Sequence, residues 1–385
     1  MCFSFSLLPF GCGRASQDAA GRRNAGQSTE AADAVPASRD ADDVGRFIAG
    51  LPGNPGSPFV DLEKSEAWKE HRGLLDQAWH RADARLVSGI QGFQYQELKE
   101  RVTPALPVFY PFSGPDTLTM TGLFPESPVY VMVGLEPAGT LPRPAQIERK
   151  DLPKYLAETR ATVASELGRS FFITRQMDRQ FRGQVTDGLL VPMLHLLVRT
   201  HHTILGFRYI RLDDQGRIID RAADYKAPTR FGNKGVELEF RSGSGATQRL
   251  YYFAVNLSNP RLEEDQPFLA YLSNLRGVAT MLKATSYMIH RPEFSVIRDR
   301  ILLSSAAILQ DDSGIPYRCF TAGGWQVQLY GDYGRPYGSF RWMEQPDLRK
   351  AYAAGSAKPL TLRLGYGYSR IASNLLLATH PAGSF

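Results

Sequence analysis

Cysteine is scarce: the 385 residues hold three, Cys2, Cys12 and Cys319, and two of these fall in the first dozen positions. Cys319 is thus the one thiol in the body of the chain, which excludes an internal disulfide framework. No Cys-x-x-Cys or Cys-x-x-His spacing offers a structural zinc site. Also missing are the GxSxG, HExxH, Walker and EF-hand patterns, so no complete motif implies a metal or a cofactor. No apolar run after residue 12 is long enough to cross a bilayer. The net charge of +6 is spread along the chain without a lysine run, so a nucleic-acid groove is not expected. What remains, at 43% apolar and 22% charged residues, is ordinary globular material, enough for one large domain.

The N-terminus is unlike the rest. Residues 2–12, CFSFSLLPFGC, are apolar, too short to span a membrane, and match the hydrophobic region of a secretory signal. With Gly11 before Cys12 they resemble a bacterial lipoprotein signal, and the resemblance implies lipidation of Cys12. It departs from that pattern at Pro9 and Phe10 and in lacking a basic start. From Gly13 to about Asp43 the chain is rich in Ala, Ser, Gln, Asp and Arg and poor in large apolar residues, a composition that cannot bury surface. We therefore expect a signal-like segment over 1–12, a disordered linker over 13–57 and a single α/β body over 58–385. Such a protein would sit at the cell envelope, held to the membrane by its lipid. The alternative is a cytoplasmic protein with an apolar start.

Two stretches organise the body. Val108-Phe109-Tyr110 is β-branched and aromatic, and Pro111, Gly114 and Pro115 stop any ladder beyond it, which predicts a strand near 106–112 with Ser113 and Asp116 in the turn leaving it. A short helix follows, ending before Pro125. Val129-Tyr130-Val131-Met132-Val133 is a continuous apolar run of strand length, which predicts a strand near 129–135 covered on both faces and therefore parallel and central. If the two strands are parallel, Ser113, Asp116 and Glu136 converge at one sheet edge, where open α/β sheets form ligand crevices. With Gly114 in the first turn and Glu136 about 20 positions on, the layout resembles half of a dinucleotide- or S-adenosylmethionine-binding Rossmann unit. The resemblance implies Glu136 on a ribose hydroxyl. It lacks a second glycine at the required spacing, and Pro115 has no N–H to offer a phosphate.

Elsewhere, Trp68, Leu75, Trp79, Ala82 and Leu86 make one helical stripe, with Asp61 as its expected cap. His195 lies in the dense apolar run Leu189 to Val198, as a core histidine bonded to a carbonyl would. From Thr203 the pattern alternates and predicts antiparallel hairpins near 203–257. Pro267 to Ser273, Val278 to Ile289 and Phe294 to Leu309 read as helices. The last would end at Asp311-Asp312, two carboxylates opposing a helix macrodipole at a cost of up to about 1 kcal/mol, a broken local rule that points to function. The aromatic tail from Tyr317 to Tyr368 predicts a small C-terminal β-rich layer. Its Tyr330 and Arg335 are suited to stacking on, and pairing with, a polar ligand.

The expected class is mixed α/β with a partly parallel central sheet. The first functional reading is an envelope protein whose body binds a polar, glycan-like ligand, with Tyr110, Ser113, Glu136, Tyr330 and Arg335 as binding residues. Asp116, Asp311 and Asp312 would supply carboxylate acid/base chemistry for hydrolysis. A Ser113–His195–Asp311 triad is a further arrangement that only geometry can test. The alternatives are a cytosolic degenerate Rossmann-like transferase using an adenosine cofactor, and a non-catalytic envelope scaffold.

Overall fold

A computed structural model of the chain describes residues 39–141, 147–169, 188–220, 235–243, 245–321, 324–366 and 373–380. Cys12 and the signal-like segment lie outside the described residues. The described residues belong to one compact unit, Val35–Phe385.

Ten strands form one mixed sheet: β1 Val108–Pro111, β2 Val129–Gly134, β3 Thr203–Leu212, β4 Ile218–Asp220, β5 Gly235–Arg241, β6 Thr247–Ala254, β7 Val278–Leu282, β8 Ser305–Gln310, β9 Gln326–Gly331 and β10 Asn374–Thr379. The spatial order is β4-β3-β5-β6-β2-β1-β7-β8-β10-β9. Neighbours from β6 to β8 are all parallel. β5, β3 and β4 extend one side, each antiparallel to its neighbour starting from β6, and β10 and β9 extend the other in the same way from β8. The C-terminal β region therefore joins the main sheet.

Burial explains the parallel centre. Every residue of β1 and β7, and all of β2 but Val129, is buried, so the pleat must be covered on both faces. On one face Val108, Tyr110, Tyr130, Met132 and Met281 pack with the helices Arg39–Ile48, Glu66–Ala82, Thr117–Leu123, Leu152–Arg169 and Leu190–Arg199. On the other, Phe109, Val131, Val133, Leu282 and Ile308 pack with Gln266–Asn274, Ser295–Ser304 and Pro346–Ala353. The result is a helix–sheet–helix sandwich of the doubly wound kind.

Three expectations are corrected. The stretch 39–57 is not all linker: the helix Arg39–Ile48 lies within it and buries Val44, Phe47 and Ile48 against the core. Asp61 does not cap the long helix; Ser65 does, accepting from the Trp68 N–H at 3.3 Å. The two helices expected over 278–289 and 294–309 instead each contain a core parallel strand, β7 and β8. Both strands are covered on two faces and show no alternation, which leaves their type unreadable by period.

Candidate functional site

The sheet has one topological switch point. From β1 the chain passes through the helix Thr117–Leu123 to β2 on one side, whereas the later crossover from β6 brings β7 to the other side. The loops leaving β1 and β7 part there, the position where doubly wound sheets hold ligands. A cavity of about 730 Å³ occupies it, lined from the ends of β1, β2, β6 and β7. Ser113, Asp116, Tyr110 and Glu136 all line this cavity, so the convergence expected from two separate sequence stretches is present.

Its floor is an ion pair. Lys283, the residue after β7, contacts the Asp116 carboxylate, and the two side chains are 2% and 1% exposed. Asp116 is fully engaged: Oδ2 accepts from the Tyr110 hydroxyl at 2.9 Å, and Oδ1 caps the short helix by accepting from Thr119 N–H at 3.0 Å. Lys283 also donates to Thr119 Oγ1 at 3.0 Å. Such a buried pair holds its geometry because each charge is desolvated unless the other stays in place.

Above the floor both switch-point loops are strained. Phe112 after β1, and Ala284, Ser286 and Tyr287 after β7, have φ between 51° and 60°, the left-handed region that costs a non-glycine residue about 1–3 kcal/mol. The surrounding groups hold the second loop in place. Asp311 accepts from Ala284 N–H at 2.8 Å and from Ser313 N–H at 2.9 Å, and Ser313 Oγ accepts from Thr285 N–H at 2.8 Å. The Tyr287 hydroxyl donates to Asp312 at 2.5 Å, and Asn374 Nδ2 donates to the same carboxylate at 3.1 Å. Tyr366 accepts from Ser286 N–H at 2.8 Å and donates to the Ala284 carbonyl at 2.9 Å.

Asp311 and Asp312 are therefore brought to the same sheet rim, but as buried holders of the β7 loop; neither lines the cavity. They follow a strand and not a helix, so the macrodipole argument does not apply to them. Burial raises the pKa of Asp311, and burial followed by the neighbouring Asp311 charge raises that of Asp312.

Other candidates lie apart. Tyr330 is fully buried and donates to Glu97 Oε2 at 2.9 Å. Arg335 is an exposed partner of Glu344, at 2.9 Å. Neither lines the cavity. No Ser113–His195–Asp311 triad forms: His195 Nε2 accepts from Trp79 Nε1 at 3.1 Å, and its Nδ1 faces the Ile48 carbonyl at 3.3 Å. The residues that sequence reasoning did not find are Lys283, Ser286 and Tyr366. Lys283 carried a signal, being the sole charge in the apolar stretch from Val278 to Ile289.

Among the described residues, the cavity's charged lining is two carboxylates, Asp116 and Glu136, and one ammonium, Lys283. Lys283 is matched by Asp116, and the Glu136 carboxyl lies at the end of β2. The first turn of Thr117–Leu123 already carries a carboxylate, because Asp116 caps it through the Thr119 N–H and the Thr117 N–H is taken by the Pro115 carbonyl. Close packing fixes Glu136: Tyr252 donates to its carbonyl at 2.5 Å, and a Cβ on Gly134 would lie 2.6 Å from that Tyr252 hydroxyl. The chain matches no family model and no curated protein.

Proposed function

We propose that the protein binds a nucleoside-type ligand without phosphate groups, of the adenosine-cofactor class represented by S-adenosylmethionine, in the switch-point cavity. The observation that carries the reading is the place of Glu136: a carboxylate at the end of the strand beside β1, in the crevice where the sheet order reverses. That is where a ribose diol is held in doubly wound folds. The charges narrow the class, since two carboxylates against one ammonium among the described lining residues, with a helix start already capped by Asp116, disfavour phosphates and favour a neutral or cationic ligand. Group transfer from such a cofactor is the reaction class this reading implies.

Isothermal titration with adenosine, S-adenosylmethionine, S-adenosylhomocysteine, ATP and NAD tests it. Binding of the first three, with ATP and NAD at least tenfold weaker, is the expected pattern. Equal or tighter binding of the phosphorylated compounds overturns the charge argument, and silence with all five overturns the reading.

A second reading rests on the walls. Phe112, Phe294, Phe340 and Tyr366 surround the carboxylates, a combination that also suits the apolar face and hydroxyl rim of a sugar. Titration with cell-wall oligosaccharides separates the two ligand classes. Carboxylate-based hydrolysis on this reading would draw on Glu136, the other acid in the lining, because Asp116 is held by Lys283, Tyr110 and the helix cap. Lipid anchoring at Cys12, with an envelope location, is proposed from residues 2–12 alone, and mass spectrometry of the mature N-terminus tests it.

A further inference from the structure

Exposed apolar side chains are unevenly placed. Among the described residues, the large apolar side chains more than half exposed are Tyr95, Leu135, Leu303, Tyr337 and Trp342, and three of the five either line the switch-point cavity or stand two positions along the chain from a residue that does. Leu135, 54% exposed, lines it directly. Tyr337, 62% exposed, and Trp342, 79% exposed, flank Ser339 and Phe340, which also line it. Single exposed hydrophobics are ordinary, but a cluster around one opening marks an interaction surface.

The loop that carries the two rings is fixed from behind. Phe340 packs 5.2 Å from Tyr287 and 5.1 Å from Tyr366. The Gln345 N–H donates to Tyr333 at 2.9 Å, and Arg335 pairs with Glu344 at 2.9 Å. From Tyr337 to Met343 the sequence is Tyr-Gly-Ser-Phe-Arg-Trp-Met, with one cation and no carboxylate. The exposed Arg341 guanidinium lies 4.7 Å from the Trp342 ring centre. The next acid, Glu344, is already bound to Arg335 and Arg349. Protruding Trp and Tyr rings beside an arginine match the headgroup layer of a bilayer, where rings sit between oil and water and a guanidinium meets phosphate. Behind the tips, Met288, Phe294 and Phe340 continue the apolar lining inward.

We propose that the mouth of the cavity docks on an anionic membrane surface, with Trp342, Tyr337 and Leu135 entering the interface and Arg341 on lipid phosphate. Docking itself does not depend on which ligand occupies the cavity floor.

The test uses the full chain carrying Cys12→Ser, so that no acyl chain contributes. It is titrated with phosphatidylcholine vesicles, with and without phosphatidylglycerol, while tryptophan emission and acrylamide quenching are followed. Anionic vesicles are expected to shift emission to the blue and shield it from quencher, and the shift disappears in Trp342→Phe. Arg341→Gln weakens binding about fivefold, the equivalent of about 1 kcal/mol per basic residue at an anionic surface, and added salt weakens it further. Tyr95→Ala leaves it unchanged. A shift that survives Trp342→Phe, equal binding to uncharged vesicles, or no shift at all overturns the proposal. So does a blue shift without vesicles that grows with protein concentration, because a second copy would then cover the surface.

Discussion

Lys283 and Asp116 come from the ends of two neighbouring parallel strands, and their charges meet under the cavity with almost no solvent contact. The pair fastens the β7 loop to the start of the helix after β1, on the two sides of the switch point. Removing one partner strands the other charge in an apolar interior, which costs about 3–5 kcal/mol. Lys283→Met is therefore expected to lower unfolding stability in urea by about 3 kcal/mol. The double variant Asp116→Asn, Lys283→Met should regain most of that loss, because asparagine keeps the helix cap and an acceptor for Tyr110. A double variant no more stable than Lys283→Met alone would show that the charge pairing is not what the floor needs.

Glu136 carries the ligand reading, and its backbone carbonyl accepts the hydrogen bond from Tyr252. Glu136→Gln keeps the length of the side chain and an acceptor oxygen, so the urea midpoint should move little. The same substitution should weaken binding of S-adenosylhomocysteine about tenfold or more, as expected for a lost hydrogen bond to a charged group. Loss of stability with binding intact would move the residue from ligand contact to scaffold.

Much of the site was legible in the sequence, for a physical reason. β1 and β2 end in prolines and glycines that mark where each strand stops, so Ser113, Asp116 and Glu136 were placed at strand ends before any geometry was known. The other wall was not legible. β7 and β8 read Val-Ala-Thr-Met-Leu and Ser-Ala-Ala-Ile-Leu-Gln; burial on both faces removes the alternation that reveals a strand, and Ala, Met and Leu favour helix. With β7 taken for helix, Lys283 and Ser286 had no strand end to mark them. Asp311 and Asp312 stand out in the sequence as paired carboxylates, but they follow a strand and no helix. Their carboxylates hold a strained loop that only coordinates could reveal.

Gly365 shows how tightly that loop is held. Its φ is +74°, and a Cβ there would run into the Asp311 carboxylate. Gly365→Ala adds left-handed strain of about 1–2 kcal/mol and displaces the acceptor of the Ala284 N–H. We expect a stability loss of at least about 2 kcal/mol, together with loss of ligand binding, since Tyr366 is the next residue. Gly355→Ala provides the control: it has φ +78° and open space around it, so it should show the strain cost alone and bind normally.

Acid should unfold the protein through its buried histidines. Burial pushes His195 down to about 3, and it pushes His71 and His290 down to about 4. All three are neutral in the native state. Once the pH falls below the ordinary histidine value of 6.5, the unfolded chain takes up protons that the native state refuses, and stability is lost from there down to about 4. Asp311 and Asp312 act in the opposite sense. Their raised native pKa values mean that the folded state holds protons the unfolded chain has released, so stability rises as pH falls through those values toward 3.8. Urea midpoints measured between pH 7 and 4 should therefore fall with acid. His195→Gln should flatten the slope by about one proton, whatever it costs at neutral pH, and Asp312→Asn should steepen it by removing a compensating group. A pH profile identical in all three proteins would mean that neither burial governs the titration.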